Sequence, residues 1–298
     1  MEAVRSSRRP RRSRDGNRPG TAQRPLLRLR NSLKPVELLS RDQLMAIHDA
    51  SLRLLEQIGI EFMGAAARRT FREAGAEVDD ASGLVRIPRE LVESALASAP
   101  SSFVLTPRNP ERRLHVGGDY VSFGLVAGPP NIHDRINGRR SGNFGDYISL
   151  IKLAQSFDII HFIGNQPTAP IELPASTRHL DCYLANVTYS DRVYHCTSIG
   201  RHRALDGIDI MAISRGKSRE ELVDDPSVIT IISVNSPRRF DEAMSDGLMA
   251  MSEYGQAVVV TPFTLMGAMT PVTLAAALTQ QNAEALAGIV LTDRKSVV

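Results

Sequence analysis

The sequence predicts an α/β fold, an incomplete (β/α)8 barrel (TIM barrel) preceded by a small α+β segment. After residue 118, short β-branched runs alternate with longer helical stretches, as in parallel strands joined by helices. A doubly wound sheet has the same order of elements. No GxGxxG or Walker motif follows a strand, however, and this favours the barrel over a nucleotide-binding sheet.

The repeating part is predicted to contain six strands. They are expected at about 120–126, 159–164, 193–198, 228–234, 257–261 and 288–292. The helices between them are expected at about 143–157, 175–189, 202–215, 239–254 and 271–287. A closed barrel needs about 250 residues. Residues 118–292 are therefore expected to form a partial barrel that lacks two strand–helix units.

The clearest single unit is the stretch 257–292. It starts with a β-branched run bounded by turn residues, as in a parallel strand buried on both faces. Thr270 and Pro271 suit the N-cap and first position of the following helix, and Gly288 suits its end. The residues after Gly288 are then predicted to form the sixth strand.

Residues 36–117 are predicted to form the α+β segment. Ser40 and Gln43 make a capping box before a helix that ends at Gly59. Further elements are expected as helices at about 65–74 and 88–99, a strand at 84–87, and a strand pair at 103–106 and 113–116. We expect this segment to be a packing layer that carries no chemistry.

The chain begins with an Arg-rich stretch, residues 1–35, that has almost no apolar side chains and is predicted to be disordered. The net charge is only +3, so the remainder is mildly acidic. An Arg-rich tail could contact nucleic acid, but a solvated tail is preferred, and nucleic acid is not an expected partner.

Cysteine content and hydropathy indicate a cytoplasmic protein. Cys182 and Cys196 lie outside any paired motif, which argues against a disulfide framework or a thiolate metal site. No apolar run reaches the roughly 18 residues of a membrane span. The amino terminus lacks the apolar core of a signal peptide.

In a barrel, catalytic side chains lie at the carboxyl ends of the strands. The predicted substrate-binding residues are Phe123, Asn165, Asn235, Ser236, Thr261 and Phe263. This set is polar but mostly neutral, and the sequence has no HExxH or GxSxG motif and no paired carboxylates. The pattern argues against hydrolysis and indicates a site that positions its substrate. No catalytic residue and no metal ligand is assigned.

Other polar side chains are predicted to be structural. His161 and His195 lie inside strands and are expected to be core histidines, and Cys196 a small buried side chain. Asp134 is expected to pair with Arg135. Three amides in the middle of the last helix are expected to serve packing and hydrogen bonding, Gln280, Gln281 and Asn282.

Four separated motifs carry a family resemblance. They are RNPERRLHVGG, HDRINGRRSGNFGDY, NSPRRFDEAM and TPFTLMGAMTPVTLAAALTQQNAEALAGIVL. Together they resemble the trimethylamine methyltransferase superfamily, the corrinoid-dependent methylamine and betaine methyltransferases, from about Leu38 to Thr292. The resemblance implies the barrel fold.

The resemblance also implies a function. It implies a methyltransferase that moves a methyl group from trimethylamine or a quaternary amine such as a betaine to the cobalt of a corrinoid protein. The corrinoid would be carried by that partner and not bound tightly by this chain, and a homo-oligomer is left open. Asn235, Ser236 and Thr261 would suit the polar end of such a substrate. Phe123 and Phe263 could form cation–π walls for its ammonium group.

The last six residues, DRKSVV, resemble a sequencing adapter, so residues 293–298 are expected to be a non-native tail. The chain would then be the first part of a longer protein, without the position at which some family members carry pyrrolysine. Two alternatives stay open. One is a truncated, non-catalytic barrel. The other is a barrel lyase or isomerase that uses His133 or Asp134 as a general base.

Overall fold

The computed structural model describes residues 25–296, and it is a mixed α/β structure as predicted. The first part contains a two-residue strand, three helices and a set of short strands. Its elements are β1 (Leu29–Arg30), α1 (Arg41–Arg53) with a π-helical extension (Leu54–Ile58), β2 (Ile60–Phe62), α2 (Ala65–Glu73), β3 (Glu77–Asp79), β4 (Leu84–Arg86), α3 (Arg89–Ser98), β5 (Ser102–Leu105), a 3-10 turn (Pro110–Arg112) and β6 (Leu114–Gly117).

The second part alternates strands and helices. Its elements are β7 (Tyr120–Val121), β8 (Phe123–Gly124), β9 (Asn131–Asp134), β10 (Gly138–Ser141), α4 (Phe144–Ser156), β11 (Ile160–Ile163), α5 (Arg178–Tyr189), β12 (Val193–Tyr194), α6 (Arg201–Arg215), a 3-10 turn (Glu220–Leu222), β13 (Ile229–Val234), β14 (Arg239–Phe240), α7 (Glu242–Glu253), β15 (Ala257–Pro262) and α8 (Leu274–Ser296).

Five parallel strands lie side by side in chain order, and we call them the parallel wall. β11 pairs with β8 on one side and β12 on the other, and β13 pairs with β15 over six residues. A parallel bridge between His195 and Ile229 joins β12 to β13. Helices α4, α5, α6 and α7 follow in the connections between these strands. The first five predicted strands are therefore confirmed, although the first one is divided into β7 and β8.

The predicted sixth strand at 288–292 is wrong, because α8 continues through this stretch to Ser296. A Cβ atom on Gly288 would lie 2.8 Å from the side chain of Val260, so this glycine permits close contact between α8 and β15 and does not end the helix. Val290 and Leu291 are completely buried on the same helix. The helix also begins later than predicted, since the carbonyl of Thr273 accepts the first helical bond, from Ala277.

The α+β segment packs against the second part of the chain through one large apolar cluster. Phe62 of β2 stacks on Phe240 of β14 with ring centroids 4.8 Å apart, and the two strands pair in parallel. The cluster also includes Leu55, Leu248 and Val290, all completely buried. The predicted capping box is present, because Ser40 and Gln43 each bond the other's backbone N–H.

The amino-terminal tail was predicted to be disordered through residue 35, and residues 1–24 of it lie outside the described part of the chain. The described remainder contains β1, which pairs with β7. Arg30 forms an ion pair with Asp119 at 2.8 Å and lies over the ring of Tyr120. Residues 29–30 are therefore held on the fold, which corrects the prediction at this point.

Of the predicted non-native tail, residues 293–296 continue α8, and residues 297–298 lie outside the described range. Among the described residues, no helix is both long and apolar enough to cross a membrane.

Candidate functional site

The parallel wall has a helix-facing side and an opposite side, which we call the inner face. Tyr194 and Cys196 point to the helices, since the hydroxyl of Tyr194 donates to the carbonyl of Gly207 and Cys196 packs beside α6. Because side chains alternate along a strand, Val193 and His195 lie on the inner face. The same alternation gives the inner face as a whole: Phe162, Val193, His195, Thr197, Ile231, Ser233, Val259 and Thr261.

The inner face is closed at the amino ends of its strands. The hairpin of β5 and β6 places Leu105 and Leu114 in a cluster with Val193 and Ile229, and all four are buried. The backbone N–H of Thr106 also donates to the carbonyl of Pro226 at 2.7 Å. The candidate site therefore lies at the carboxyl ends, in the loops after β11, β12, β13 and β15, which we call the mouth.

At the mouth, the predicted residue Asn165 connects two neighbouring strands. Its Oδ1 accepts a hydrogen bond of 2.8 Å from the hydroxyl of Thr197. Its amide nitrogen has no hydrogen-bond partner among the described residues. Asn165 can therefore still donate one or two hydrogen bonds to a ligand.

Asn235 and Ser236 follow β13 and make different contacts. The Oδ1 of Asn235 accepts from the N–H of Asp241 at 3.2 Å, which leaves its amide nitrogen at the exposed mouth. The hydroxyl of Ser236 donates to Glu284 at 2.5 Å. Ser236 is thus already paired, and a substrate would have to compete with a buried carboxylate.

Glu284 of α8 is a residue that the sequence did not single out. It is completely buried, and it also accepts from the N–H of Arg238 and from the amide of Gln280, each at 2.8 Å. Gln280 therefore serves hydrogen bonding in the helix, as predicted. The signal in the sequence was a lone acid on an Ala- and Leu-rich helix face, four residues after a glutamine.

Thr261 and Phe263 extend the mouth along β15. Thr261 lies beside Ser233 across the strand pair, and its hydroxyl donates to the carbonyl of Ile232 at 3.2 Å. Phe263 follows the strand and is 58% exposed. Asn235, Thr261 and Phe263 thus lie at the carboxyl ends of two adjacent strands, as the strand-end argument predicts.

Phe123 is placed apart from the other predicted site residues. It pairs in register with Ile160, the first residue of β11, and so lies level with the amino end of that strand. Its backbone N–H donates to Nδ1 of His161, and Nε2 of His161 bonds the carbonyl of Leu27. His161 is therefore a satisfied buried histidine, and Phe123 does not meet the mouth.

His195 differs from His161. It is only 4% exposed, and its Nε2 accepts from the N–H of Ile231 at 2.8 Å. Its Nδ1 is buried and has no hydrogen-bond partner in the described part of the chain. Burial lowers the pKa of His195 to about 4, so the ring is neutral at pH 7.

The two thiols and the acid after the first strand do not form a reactive centre. Burial raises the pKa of Cys182 to about 12 and that of Cys196 to about 11, which disfavours the nucleophilic thiolate. Asp134 accepts from the N–H groups of Ile136 and Asn137, and the Asn137 bond in particular lowers its pKa. Its ion-pair partner is Arg140 at 3.4 Å and not Arg135 as predicted. In the hairpin of β9 and β10, Arg140 lies diagonally across from Asp134, two positions beyond Gly138, the register partner of Asp134.

Within the described range 25–296, no three His, Cys, Asp or Glu side chains form a group that could hold a metal ion.

Comparison with known proteins links this geometry to a family. Residues 5–295 match the family described as trimethylamine methyltransferase (MTTB). The chain is 36% identical over 259 residues to a glycine betaine methyltransferase of Desulfitobacterium hafniense (strain Y51), covering 87% of this chain and 53% of the relative. It is 28% identical to trimethylamine methyltransferase MttB of Desulfitobacterium hafniense (strain DSM 10664 / DCB-2), covering 86% and 52%.

A third relative is the proline betaine:corrinoid methyltransferase of Eubacterium limosum, with 27% identity over 88% of this chain and 53% of the relative. The chain spans about half the length of these curated relatives. The family match itself extends over nearly all of its 298 residues. The chain belongs to the trimethylamine methyltransferase family.

Proposed function

We propose that the protein is a methyltransferase that moves a methyl group from a methylated amine, trimethylamine or a quaternary amine such as a betaine, to the cobalt of a corrinoid protein. The family match and the names of three relatives support the reaction class. The observation that carries the proposal is the neutral mouth: Asn165, Asn235 and Thr261 can bind and orient a substrate, but none is an acid or a base.

We also propose that the parallel wall is part of a (β/α)8 barrel. Its five strands are neighbours in chain order, as in a barrel, whereas a doubly wound sheet reverses its strand order at a switch point. The β5–β6 hairpin covers the amino ends, which leaves the carboxyl ends accessible. That is the end at which barrel enzymes bind their substrates.

The chemistry fits substrate-binding side chains that are neither acids nor bases. A quaternary ammonium loses a neutral tertiary amine when a methyl group is transferred, so no proton has to be donated to the leaving group. The corrinoid of the partner would supply the cobalt nucleophile. The task left to this chain is to hold the cation and orient one methyl group. The exposed ring of Phe263 can contribute a cation–π contact worth about 0.5–2 kcal/mol.

The proposed partner is a corrinoid protein that contacts the mouth. One relative is named a proline betaine:corrinoid methyltransferase, which supports this acceptor. The loop after β15 exposes three large apolar side chains, Phe263, Leu265 and Met266, each more than half exposed. A reducing, cytoplasmic location is proposed as well, because both described cysteines are free thiols.

A lyase or isomerase that uses Asp134 as its general base is not favoured. It needs a general base with a pKa near the working pH. Asp134 instead has a lowered pKa, two backbone N–H bonds and an ion pair with Arg140. These contacts are typical of a carboxylate that stabilises a turn.

The test is a methyl-transfer assay with the full-length protein and its cognate corrinoid protein reduced to cobalt(I). Glycine betaine, proline betaine and trimethylamine are added separately, and the absorbance of methyl-cobalt is recorded. We expect at least one substrate to give the methyl-cobalt spectrum. A protein that gives none with any methylated amine would not have the proposed function.

A further inference from the structure

The hairpin of β9 and β10, residues 131–141, lies at the rim of the mouth, and we call it the rim hairpin. The chain that leads into it crosses the loop after β11. There the N–H of Gly128 donates to the carbonyl of Gln166 at 2.7 Å, and the N–H of Ala169 donates to the carbonyl of Pro129 at 3.0 Å. Gln166 directly follows Asn165, one of the predicted site residues. The base of the rim hairpin is therefore held beside the candidate site.

The chain that leaves the rim hairpin is held at the same loop. The N–H of Gly142 donates to the carbonyl of Pro130 at 3.1 Å. A Cβ atom on Gly142 would lie 1.9 Å from the hydroxyl oxygen of Thr168, which is completely buried. Both ends of the rim hairpin are thus packed in direct contact with the loop after β11, so its position on the rim is fixed by the fold.

One face of the rim hairpin is paired within the chain. Because side chains alternate along a strand, Asp134 and Arg140 share a face. On that face Arg140 donates to Asp146 of α4 at 2.7 Å and pairs with Asp134 at 3.4 Å. Asp134 also accepts from the N–H groups of Ile136 and Asn137. This face holds the turn and anchors the hairpin to α4.

The other side of the rim hairpin presents charge that is not paired. Arg139 and its register partner His133 are both exposed, and so is Arg135 in the turn. Neither Arg135 nor Arg139 has an ion-pair partner within residues 25–296. Between these two arginines in the turn, Ile136 is 91% exposed. The rim hairpin thus combines two free guanidinium groups with an accessible aliphatic side chain.

This combination is typical of a surface that contacts another protein. Arginine is enriched at protein interfaces, where its planar guanidinium can bind a carboxylate through two parallel hydrogen bonds. A small anion or a polyanion would be bound by charge alone and would leave Ile136 in water. A protein surface with carboxylates beside an apolar patch would contact all three side chains. Because the hairpin is already held by the fold, binding would order little additional backbone.

The position of the rim hairpin selects the partner. In the proposed function, the cobalt of the corrinoid protein has to reach a methyl group at the mouth, so that protein has to cover the rim. We propose that the rim hairpin is a docking surface for the corrinoid protein, in which Arg135 and Arg139 pair with carboxylates of the partner and Ile136 contacts an apolar patch between them. The inference rests on the methyltransferase function proposed above and identifies a surface of this chain that its partner would bind.

The test uses charge reversal with a matched control at the other end of the wall. The variants are the double substitution Arg135→Glu with Arg139→Glu, the single substitution Ile136→Ser, and the control Arg113→Glu. Arg113 directly precedes β6 at the closed end, and it is also exposed. Binding of the cognate corrinoid protein to the full-length protein is measured by calorimetry without a methylated amine, at low and at high salt. Amine binding is measured separately, with thermal unfolding as the check on folding.

We expect the double variant to bind the corrinoid protein about tenfold more weakly or worse at low salt. The difference from the wild type should shrink at high salt, because salt screens exposed charges. Ile136→Ser should weaken binding by about threefold or more at both salt concentrations, because an apolar contact is not screened. Arg113→Glu should bind like the wild type, and amine binding should be unchanged in all variants.

Two results would overturn the inference. Wild-type affinity of the double variant for the corrinoid protein would mean that Arg135 and Arg139 are only solvated. Weaker binding of the amine with unchanged binding of the corrinoid protein would assign the rim hairpin to the substrate.

Failure of the underlying function gives a different result. If the wild-type protein neither binds the corrinoid protein nor transfers a methyl group to it, the methyltransferase proposal is wrong, and the docking surface is wrong with it. If the wild type transfers the methyl group and the double variant is equally efficient at limiting corrinoid protein, the reaction class stands and only the rim hairpin assignment is overturned.

Discussion

The two sides of the parallel wall differ in how completely their polar groups are paired. On the helix-facing side, the hydroxyl of Tyr183 contacts Cys196 and accepts the N–H of Thr197, and the hydroxyl of Tyr194 bonds Gly207. On the inner face, Nδ1 of His195 is unpaired, and two register partners are exposed, Ile231 and Val259. The polar groups named on the helix-facing side are thus paired, whereas the inner face has a buried ring nitrogen without a side-chain partner among the described residues and exposes apolar side chains.

The largest expected effect comes from Glu284, whose buried carboxylate accepts three hydrogen bonds. Glu284→Ala would leave the hydroxyl of Ser236, the N–H of Arg238 and the amide of Gln280 without their buried acceptor. We expect a loss of about 4 kcal/mol in the free energy of unfolding, measured by urea titration, because each unpaired buried group costs about 1–3 kcal/mol. An unchanged urea midpoint would show that water can replace the carboxylate here.

Glu284→Gln is the matched control. Its remaining oxygen can accept from Arg238 and Gln280, while its amide donates to Ser236, which can turn its hydroxyl to accept. We expect this variant to lose less than about 1.5 kcal/mol. A loss as large as that of the alanine variant would mean that the negative charge, and not the number of hydrogen bonds, stabilises the loop after β13.

The next expected effect is a pH dependence of the free energy of unfolding that comes from His195 on the inner face. The pKa of His195 falls from 6.5 to about 4 on folding, so the unfolded chain binds a proton between these values that the folded chain does not. The contribution of His195 to the free energy of unfolding is therefore complete above pH 6.5. It falls by about 3 kcal/mol as the pH falls towards 4.

The measurement compares the wild type with His195→Gln, because carboxylates titrate in both proteins and cancel in the difference. The free energy of unfolding of the wild type should fall more steeply with decreasing pH between 6.5 and 4 than that of the variant. Parallel curves would mean that folding does not lower the pKa of His195.

The elements of the wall were predictable from the sequence, because hydrophobic periodicity is local. The stretch 257–261 was assigned correctly from its β-branched run. The stretch 288–292 was not, because the role of Gly288 depends on its contact with Val260, which is distant in the sequence. Apolar runs next to a glycine have the same local pattern whether they end a helix or continue it.

The position of the candidate site could be predicted from the sequence, but the hydrogen-bond partners of its residues could not. The rule that barrel sites lie at carboxyl strand ends correctly placed Asn235 and Thr261 at the ends of adjacent strands. It could not show that Ser236 bonds an acid 48 positions later or that His195 bonds Ile231. Phe123 was placed wrongly at the mouth level because the first predicted strand is divided, which sets Phe123 beside Ile160.

The smallest expected effect concerns the exposed aromatic ring of Phe263 at the mouth. Phe263→Leu keeps an apolar side chain at an exposed position and removes the aromatic ring. We expect the free energy of unfolding to stay within about 0.5 kcal/mol of the wild type, as for other exposed substitutions. Binding of tetramethylammonium should weaken by about 0.5–2 kcal/mol, the value of one cation–π contact, when measured by calorimetry.

Leu265→Ala is the control for this change, because it removes exposed apolar surface from the same loop without removing an aromatic ring. If the ring of Phe263 contacts the cation, only Phe263→Leu weakens tetramethylammonium binding. If both variants weaken methyl transfer to the corrinoid protein and neither weakens cation binding, the loop after β15 contacts the partner protein and not the substrate.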